Sequence, residues 1–390
     1  MGLGWVEGIG VSMQNVSMNT ARGPGPRAET ADHVERMKFG PDAGFQRELR
    51  RRVDAFIREH GVQERDCPRM YLKTAVILST FALSYIALVC FARNAWQAVP
   101  LAVLLGCVTA LIGFNIQHDG GHRAYSDRPW INKLMAMTLD MVGGSSYVWR
   151  WKHAVFHHMY VNVDDHDTDI ELGIFGRLSP GQPRRAIYRW QQWYLWPLYG
   201  VMGIKWHFYD DFRDVIKGRM GVNRFPRPRG WELAGFIGGK LAFFTLAFGI
   251  PLVFHRFWVV ALFYVITVAV TGLVLSVVFQ LAHTVEEAAF SVDPPEGRIP
   301  TPWAVHQVAA TVDFARGDRL VSWLVGGLNF QIEHHLFPTL SHVNYPAIAG
   351  IVEQTCREYG VPYASNPTFG AAVASHFRWL RRMGAAESAA

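Results

Sequence analysis

Four uninterrupted apolar runs, at residues 74–92, 99–116, 233–254 and 257–281, are each close to the roughly 20 residues a helix needs to cross a bilayer. The first, second and fourth carry no charged side chain. The third carries Lys240 alone, near enough to one end for its ammonium to snorkel to the surface. Only a helix or a closed barrel satisfies its backbone polar groups inside lipid, so runs of this length predict transmembrane helices. Residues 93–98 join the first two runs and 255–256 join the last two. That predicts two helical hairpins, with the N-terminus, residues 117–232 and the stretch after 281 all on one side. All but three of the 38 Lys and Arg (Arg93, Lys240 and Arg256) fall on that side, which marks it as cytoplasmic.

The predicted fold is therefore an all-α integral membrane protein with four transmembrane helices in two hairpins and a cytoplasmic helical cap. Half of the residues are hydrophobic and 18% are charged, so the net charge of +6 points to a membrane surface, bacterial inner membrane by expectation, and not to nucleic acid. Cys67, Cys90, Cys107 and Cys356 form no C-x-x-C pair, which argues against a thiolate cluster or a zinc ribbon. Residues 1–33 read as a disordered tail, and Met13 or Met18 is a possible start. Residues 34–70 read as a cytoplasmic amphipathic segment, with Leu49, Val53, Phe56 and Ile57 among charges. Residues 187–206, rich in Trp and Tyr but broken by Pro197, read as an interfacial segment lying along the membrane. The basic stretches at Arg184-Arg185 and from Arg224 to Arg229 read as ordinary positive-inside charge, ahead of a contact for an acidic donor, a CoA phosphate or lipid head groups.

Half of the 16 histidines fall in four tight groups. These are His118-Asp-Gly-Gly-His122 just past the second run, His153-Ala-Val-Phe-His157-His158, Gln280-Leu-Ala-His283 just past the fourth run, and Gln331-Ile-Glu-His334-His335. Side chains three or four apart on a helix share a face, so each group can aim two or three side chains at one point. The second and fourth runs point the same way, so all four groups can converge at one depth. Imidazole suits iron, copper, zinc and nickel, and eight histidines exceed the shell of one ion, which implies two. Carboxylate-rich di-iron bundles use Glu and Glu-x-x-His instead, so few acids among these groups favour an all-nitrogen iron pair. Asp119, Asn162, Asp167, Asp169 and Glu333 are either partners that orient the imidazoles or solvated groups. His166 reads as part of a polar loop. His33, His60, His207, His255, His306, His342 and His376 read as solvated or core side chains.

In order, the motifs Q-H-D-G-G-H, W-K-H-A-V-F-H-H-M-Y-V-N, F-Q-L-A-H and G-L-N-F-Q-I-E-H-H-L-F-P resemble the membrane fatty-acid desaturases over roughly residues 71–363. The resemblance implies a desaturase domain at 71–365 followed by a C-terminal tail at 366–390. It implies two irons held by His118, His122, His153, His157, His158, His283, His334 and His335, with O2 as co-substrate. Electrons would come from a separate donor, ferredoxin-like or cytochrome b-type, and its reductase. The substrate would be an acyl-CoA or a membrane lipid. Gln331 stands where many relatives have His, a feature of the front-end branch, and the best match is to bacterial linoleoyl-CoA-desaturase-like members. Whether Gln331 binds iron, binds a water or does neither stays open, as does a role for Gln280. A hydroxylase, epoxidase or ketolase on the same site is the nearest rival, with a haem-binding electron carrier and a zinc hydrolase behind it.

Overall fold

A computed structural model describes residues 37–292 and 297–385. The expected disordered tail at 1–33 and the alternative starts lie outside the described residues. Four helices are long and apolar enough to cross a membrane: Pro68–Phe91, Ala95–Gly121, Trp231–Phe254 and Phe257–His283. Their ends are chemically marked. Pro68 opens the first in the position where its missing N–H costs nothing. Asn94 caps the second, its side-chain oxygen accepting from the Gln97 N–H at 3.1 Å.

The second and fourth spans run past the ends of their apolar runs towards the histidines. The second carries His118 within its last turn and the fourth ends on His283 itself. Both rings are thus held by rigid helix, where the sequence expected them just past its end. A π turn at Gly113–Gln117 immediately precedes His118, and a longer π segment, Arg150–His157, carries His153 and His157. Such wide turns cost hydrogen-bond geometry and gather at functional sites.

The second and fourth spans cross where Gly106 meets Thr267. A methyl group at Gly106 would come within 2.6 Å of the Thr267 carbonyl, and the Thr271 hydroxyl donates to the Gly106 carbonyl at 3.0 Å. Small residues of this kind let membrane helices approach at backbone distance.

Residues 187–206 correct the expected interfacial segment. Pro197 sits inside an unbroken helix, Gln191–Lys205, which packs against the middle of the fourth span. Gly200 and Gly272 make the contact: a methyl group on Gly272 would lie 2.7 Å from the Tyr199 carbonyl and 2.9 Å from that of Gly200. The chain continues through a π turn into the helix Asp211–Lys217, which brings Asp211 against the third span. Lys240 therefore does not snorkel. It is buried, and its ammonium donates to Asp211 Oδ2 and to the Gly143 carbonyl, each at 2.7 Å.

On the histidine-bearing side, the amphipathic helix Phe45–His60 turns Phe45, Leu49 and Val53 into one core with Ile332, Leu336, Tyr345, Ile348 and Val352. That core braces the short helix Gln331–Leu336, which carries the last histidine group. The helix Phe369–Gly384 lies beyond residue 365, yet it buries Ala372, His376, Trp379 and Leu380 in the same body. His376 links the Tyr199 hydroxyl, at 3.0 Å, to the Thr284 carbonyl, at 2.7 Å, one residue past His283.

Candidate metal centre

The four histidine groups meet in one buried cluster. His118, His122, His153 and His334 each offer a ring nitrogen, all within 4.8 Å of one another, and so do His157, His283 and His335. His158 stands between the two sets, its Nε2 3.0 Å from that of His334 and its ring stacked 4.2 Å from that of His335. The adjacent pair His334-His335 thus divides between the two neighbouring sets, as the divergence of consecutive residues on a helix predicts.

The two glycines in His118-Asp-Gly-Gly-His122 have a packing reason. A methyl group on Gly120 would come within 2.6 Å of the Ala136 nitrogen, and one on Gly121 would strike the Trp149 ring. Trp149 lies flat on His153, with ring centres 4.7 Å apart. Gly121 therefore lets the second histidine group close against the first, and Gly120 lets the helix Pro129–Ala136 pack there.

Polar partners lie on the outer side of the rings. Asp167 Oδ2 accepts from His157 Nδ1 at 3.0 Å and from the Asn162 N–H at 2.9 Å. Gln307 Oε1 accepts from His335 Nδ1 at 2.7 Å, and the Tyr345 hydroxyl meets His334 Nδ1 at 3.1 Å. Asp169 faces His153 Nδ1 at 3.5 Å and is paired with Lys152 at 2.8 Å. On the inner side, the Nε2 atoms of His118, His122, His153, His157 and His335 are buried with no hydrogen-bond partner. A buried polar atom left unpaired costs about 1–3 kcal/mol. Burial first, and neighbouring imidazoles second, hold His122, His158, His334 and His335 well below the usual histidine range, in the neutral form that metals bind. Nδ1 tethered outwards and Nε2 free inwards is how proteins orient imidazoles on a metal ion. The residues present fit a pair of metal ions.

The other expected site residues divide. Asn162, with a left-handed φ of 54°, donates its side-chain amide to the carbonyls of His283, Ala289 and Ala310 at 2.8–3.1 Å, so it fixes the backbone beneath His283. Gln331 Nε2 lies 2.9 Å from His283 Nε2. Gln280 instead accepts from Thr284, and Asp119 turns to Ser341 and His342, at 3.0 Å each. Glu333 shares the Tyr363 hydroxyl with Asp313. Gln307 and Tyr345 went unnoticed in the sequence, because neither belongs to a histidine group and no periodicity ties them to one.

A cavity of about 720 Å³ reaches the cluster at His118, His153 and Gln331 and continues between Val142, Val268 and Leu275. A second, of about 500 Å³ and mostly apolar, shares Thr109, Val142, His207, Val268 and Thr271 with the first and runs on towards the 93–94 link. A long apolar substrate can therefore lie beside the histidines with its tail between the spans.

Residues 94–367 match the family model for fatty acid desaturases. The chain belongs to the fatty acid desaturase family. The desaturase is 40% identical to the sn-1 linoleoyl-lipid 6-desaturase of Synechocystis sp., over 90% of this chain and 99% of that one. It is 37% identical to the protein of the same description from Arthrospira platensis, over 90% and 95% of the two chains. It is also 36% identical to the acyl-lipid (8-3)-desaturase of Physcomitrium patens, over 87% of this chain and 71% of that one. The desaturase is accordingly a membrane oxidoreductase whose family implies a metal centre, an acyl-lipid substrate and a supply of electrons.

Asp167 gives a direct check on the outer tethers. Asp167→Asn should preserve the fold while lowering metal affinity or activity by roughly 10–100-fold, the usual effect of losing such a partner. Metal titration of the purified variant reads it, and an unchanged affinity together with unchanged activity would contradict the tethering role.

Proposed function

We propose that this chain is a front-end desaturase of lipid-bound C18 acyl chains, placing a new double bond at the 6 position of a linoleoyl group. The observation that carries the reading is the cluster of inward, unpartnered Nε2 atoms beside a long apolar cavity. Likeness to linoleoyl-lipid 6-desaturases over nearly their whole length supports the choice of substrate.

In this reading His118, His122, His153 and His334 hold one iron, and His157, His283 and His335 the other, with His158 between them. Two irons so held supply the oxidising power, drawn from O2 and two external electrons with two protons, that takes two hydrogens from neighbouring unactivated carbons and leaves two waters. The protein's own residues do the rest. Asp167, Gln307 and Tyr345 keep three rings turned inwards. Gln331 meets His283 at Nε2 through its amide and so leaves that ring's unpartnered Nδ1 to hold iron. The cavity walls exclude water and hold the chain so that one pair of carbons faces the cluster. A separate ferredoxin-like or cytochrome b-type protein, with its reductase, delivers the electrons. The cluster faces the cytoplasm from a bacterial inner membrane, where nearly all the Lys and Arg lie.

Expression in a host of simple lipid profile fed linoleate tests this. The expected product is an 18-carbon acid lighter by two hydrogens, with the new bond between carbons 6 and 7. A product that has gained an oxygen atom, or a bond on the methyl side of the existing ones, would replace the reading.

A further inference from the structure

A concavity beside the mouth of the large cavity is lined by Lys217, Gly218, Arg219, Arg224, Phe225 and Arg227. Lys217 and Arg219 line the large cavity as well, so the two spaces adjoin. The four cations are exposed, and among the described residues none of them forms an ion pair. The acids at the mouth are otherwise engaged: Asp210 with Lys205 at 2.5 Å, Asp214 with Arg213 at 2.7 Å and Asp169 with Lys152 at 2.8 Å. Glu171 is the one mouth acid outside any ion pair among the described residues, and it lines the large cavity rather than the concavity.

The backbone forces this charge together. Gly218, at a φ of 66°, ends the helix Asp211–Lys217, and Arg227 lies 3.4 Å from where its Cβ would be. The chain then makes a tight hairpin in which Arg219 is the direct cross-strand partner of Arg224. Like charges in that relation destabilise a hairpin. Dispersed positive-inside charge does not require it, whereas an anion between them turns the cost into a gain.

The hairpin is also fastened to the metal centre. Asn223 is buried and donates to the His166 carbonyl at 2.7 Å. A methyl group at Gly221 would come within 2.9 Å of Thr168 and 3.2 Å of the Asp165 carbonyl. The same loop presents Asp167 to His157 and Asp169 to His153 on its inner side. The loop at residues 165–169 therefore lies between the hairpin that carries the cationic concavity and two of the histidine rings.

We propose that this concavity binds the phosphate of the group to which the acyl chain is attached, and so sets the distance from the carboxyl end at which the double bond is placed. This deepens, and rests on, the front-end reading above. Five bonds separate the carboxyl carbon from carbon 6, roughly 6 Å at the ~1.2 Å advance per bond of an extended chain. A carrier held one loop away from the histidines suits so short a reach. The phosphate could belong to a phospholipid or to CoA, and the test separates them.

Full-length protein in micelles would be offered linoleoyl-phosphatidylglycerol, linoleoyl-CoA and a neutral linoleoyl glyceride, with binding read by native mass spectrometry and KM by product formation. In the wild type at least one phosphate-bearing substrate should bind more tightly than the neutral one. Arg219→Gln with Arg224→Gln should reduce that preference about tenfold or more, and Arg219→Lys with Arg224→Lys should restore most of it. Loss of preference for phosphatidylglycerol identifies a phospholipid carrier, and loss for CoA identifies a thioester carrier. Preferences that are absent in the wild type, unchanged in both arms, or reduced equally for the neutral glyceride would overturn the proposal. Should the binding preference behave as expected while no substrate is desaturated, the concavity stands and the proposed function falls.

Discussion

Replacing His335 by alanine should take desaturation below detection while leaving the chain folded in the membrane. The ring sits among His157, His158 and His283, with centres 5.1, 4.2 and 5.1 Å away, and its outer nitrogen donates to Gln307. Alanine removes an inward Nε2 and strands the Gln307 carbonyl in a buried place. The stability cost is about 1–3 kcal/mol, too small to unfold a domain of this size. The chemical cost is much larger, because in the proposed centre His157 and His283 would be left to hold one ion with help only from His158. Metal analysis of the purified variant should show about half the wild-type content, and product analysis should show none. His157→Ala should behave alike, with Asp167 losing its partner in place of Gln307. Full metal content with full activity in either variant would dissolve the assignment of these rings to the centre.

Breaking the Lys240–Asp211 pair should produce the largest change in stability. Both groups are buried, and Asp211 also accepts from the Trp206 indole at 2.9 Å. Asp211→Leu strands an ammonium among Phe212, Phe236 and the neighbouring span, at a cost of about 3–5 kcal/mol. Lys240→Met should cost a similar amount by stranding the carboxylate. The double variant removes both desolvated charges, and it should recover most of the loss or exceed the wild type, since a buried pair is often no better than well-packed apolar groups. Thermal unfolding of the four proteins in one detergent measures the coupling. Additive losses would mean that the two side chains do not depend on one another.

The spans and the histidine groups were legible in the sequence because both are local signals. Apolar length reports a crossing helix whatever surrounds it, and a three- or four-residue spacing reports a shared face. The hairpin pattern follows from links too short to do anything else. Even the convergence of the groups could be anticipated, since the second and fourth runs must point the same way.

Other features depend on partners far along the chain. Lys240 looked like a snorkelling residue because its window holds no acid, and Asp211 arrives only when the helix Gln191–Lys205 packs on the fourth span. That helix looked interfacial because its aromatic content says amphipathic surface, while the use of Gly200 and Gly272 as a seam appears only when the two backbones touch. Gln307 and Tyr345 became tethers because the cap folds them behind His335 and His334. Arg224 and Arg227 near the cavity mouth read as background charge until a hairpin set Arg224 against Arg219. The sequence alone determined that this is a four-span membrane protein with imidazoles enough for two metal ions, because helix length and side-chain period are properties of a segment. Only the tertiary structure decided which nitrogen of each ring faces inwards and what meets every buried charge, because hydrogen bonds and ion pairs at such positions join segments whose separation along the chain carries no information about their distance in space.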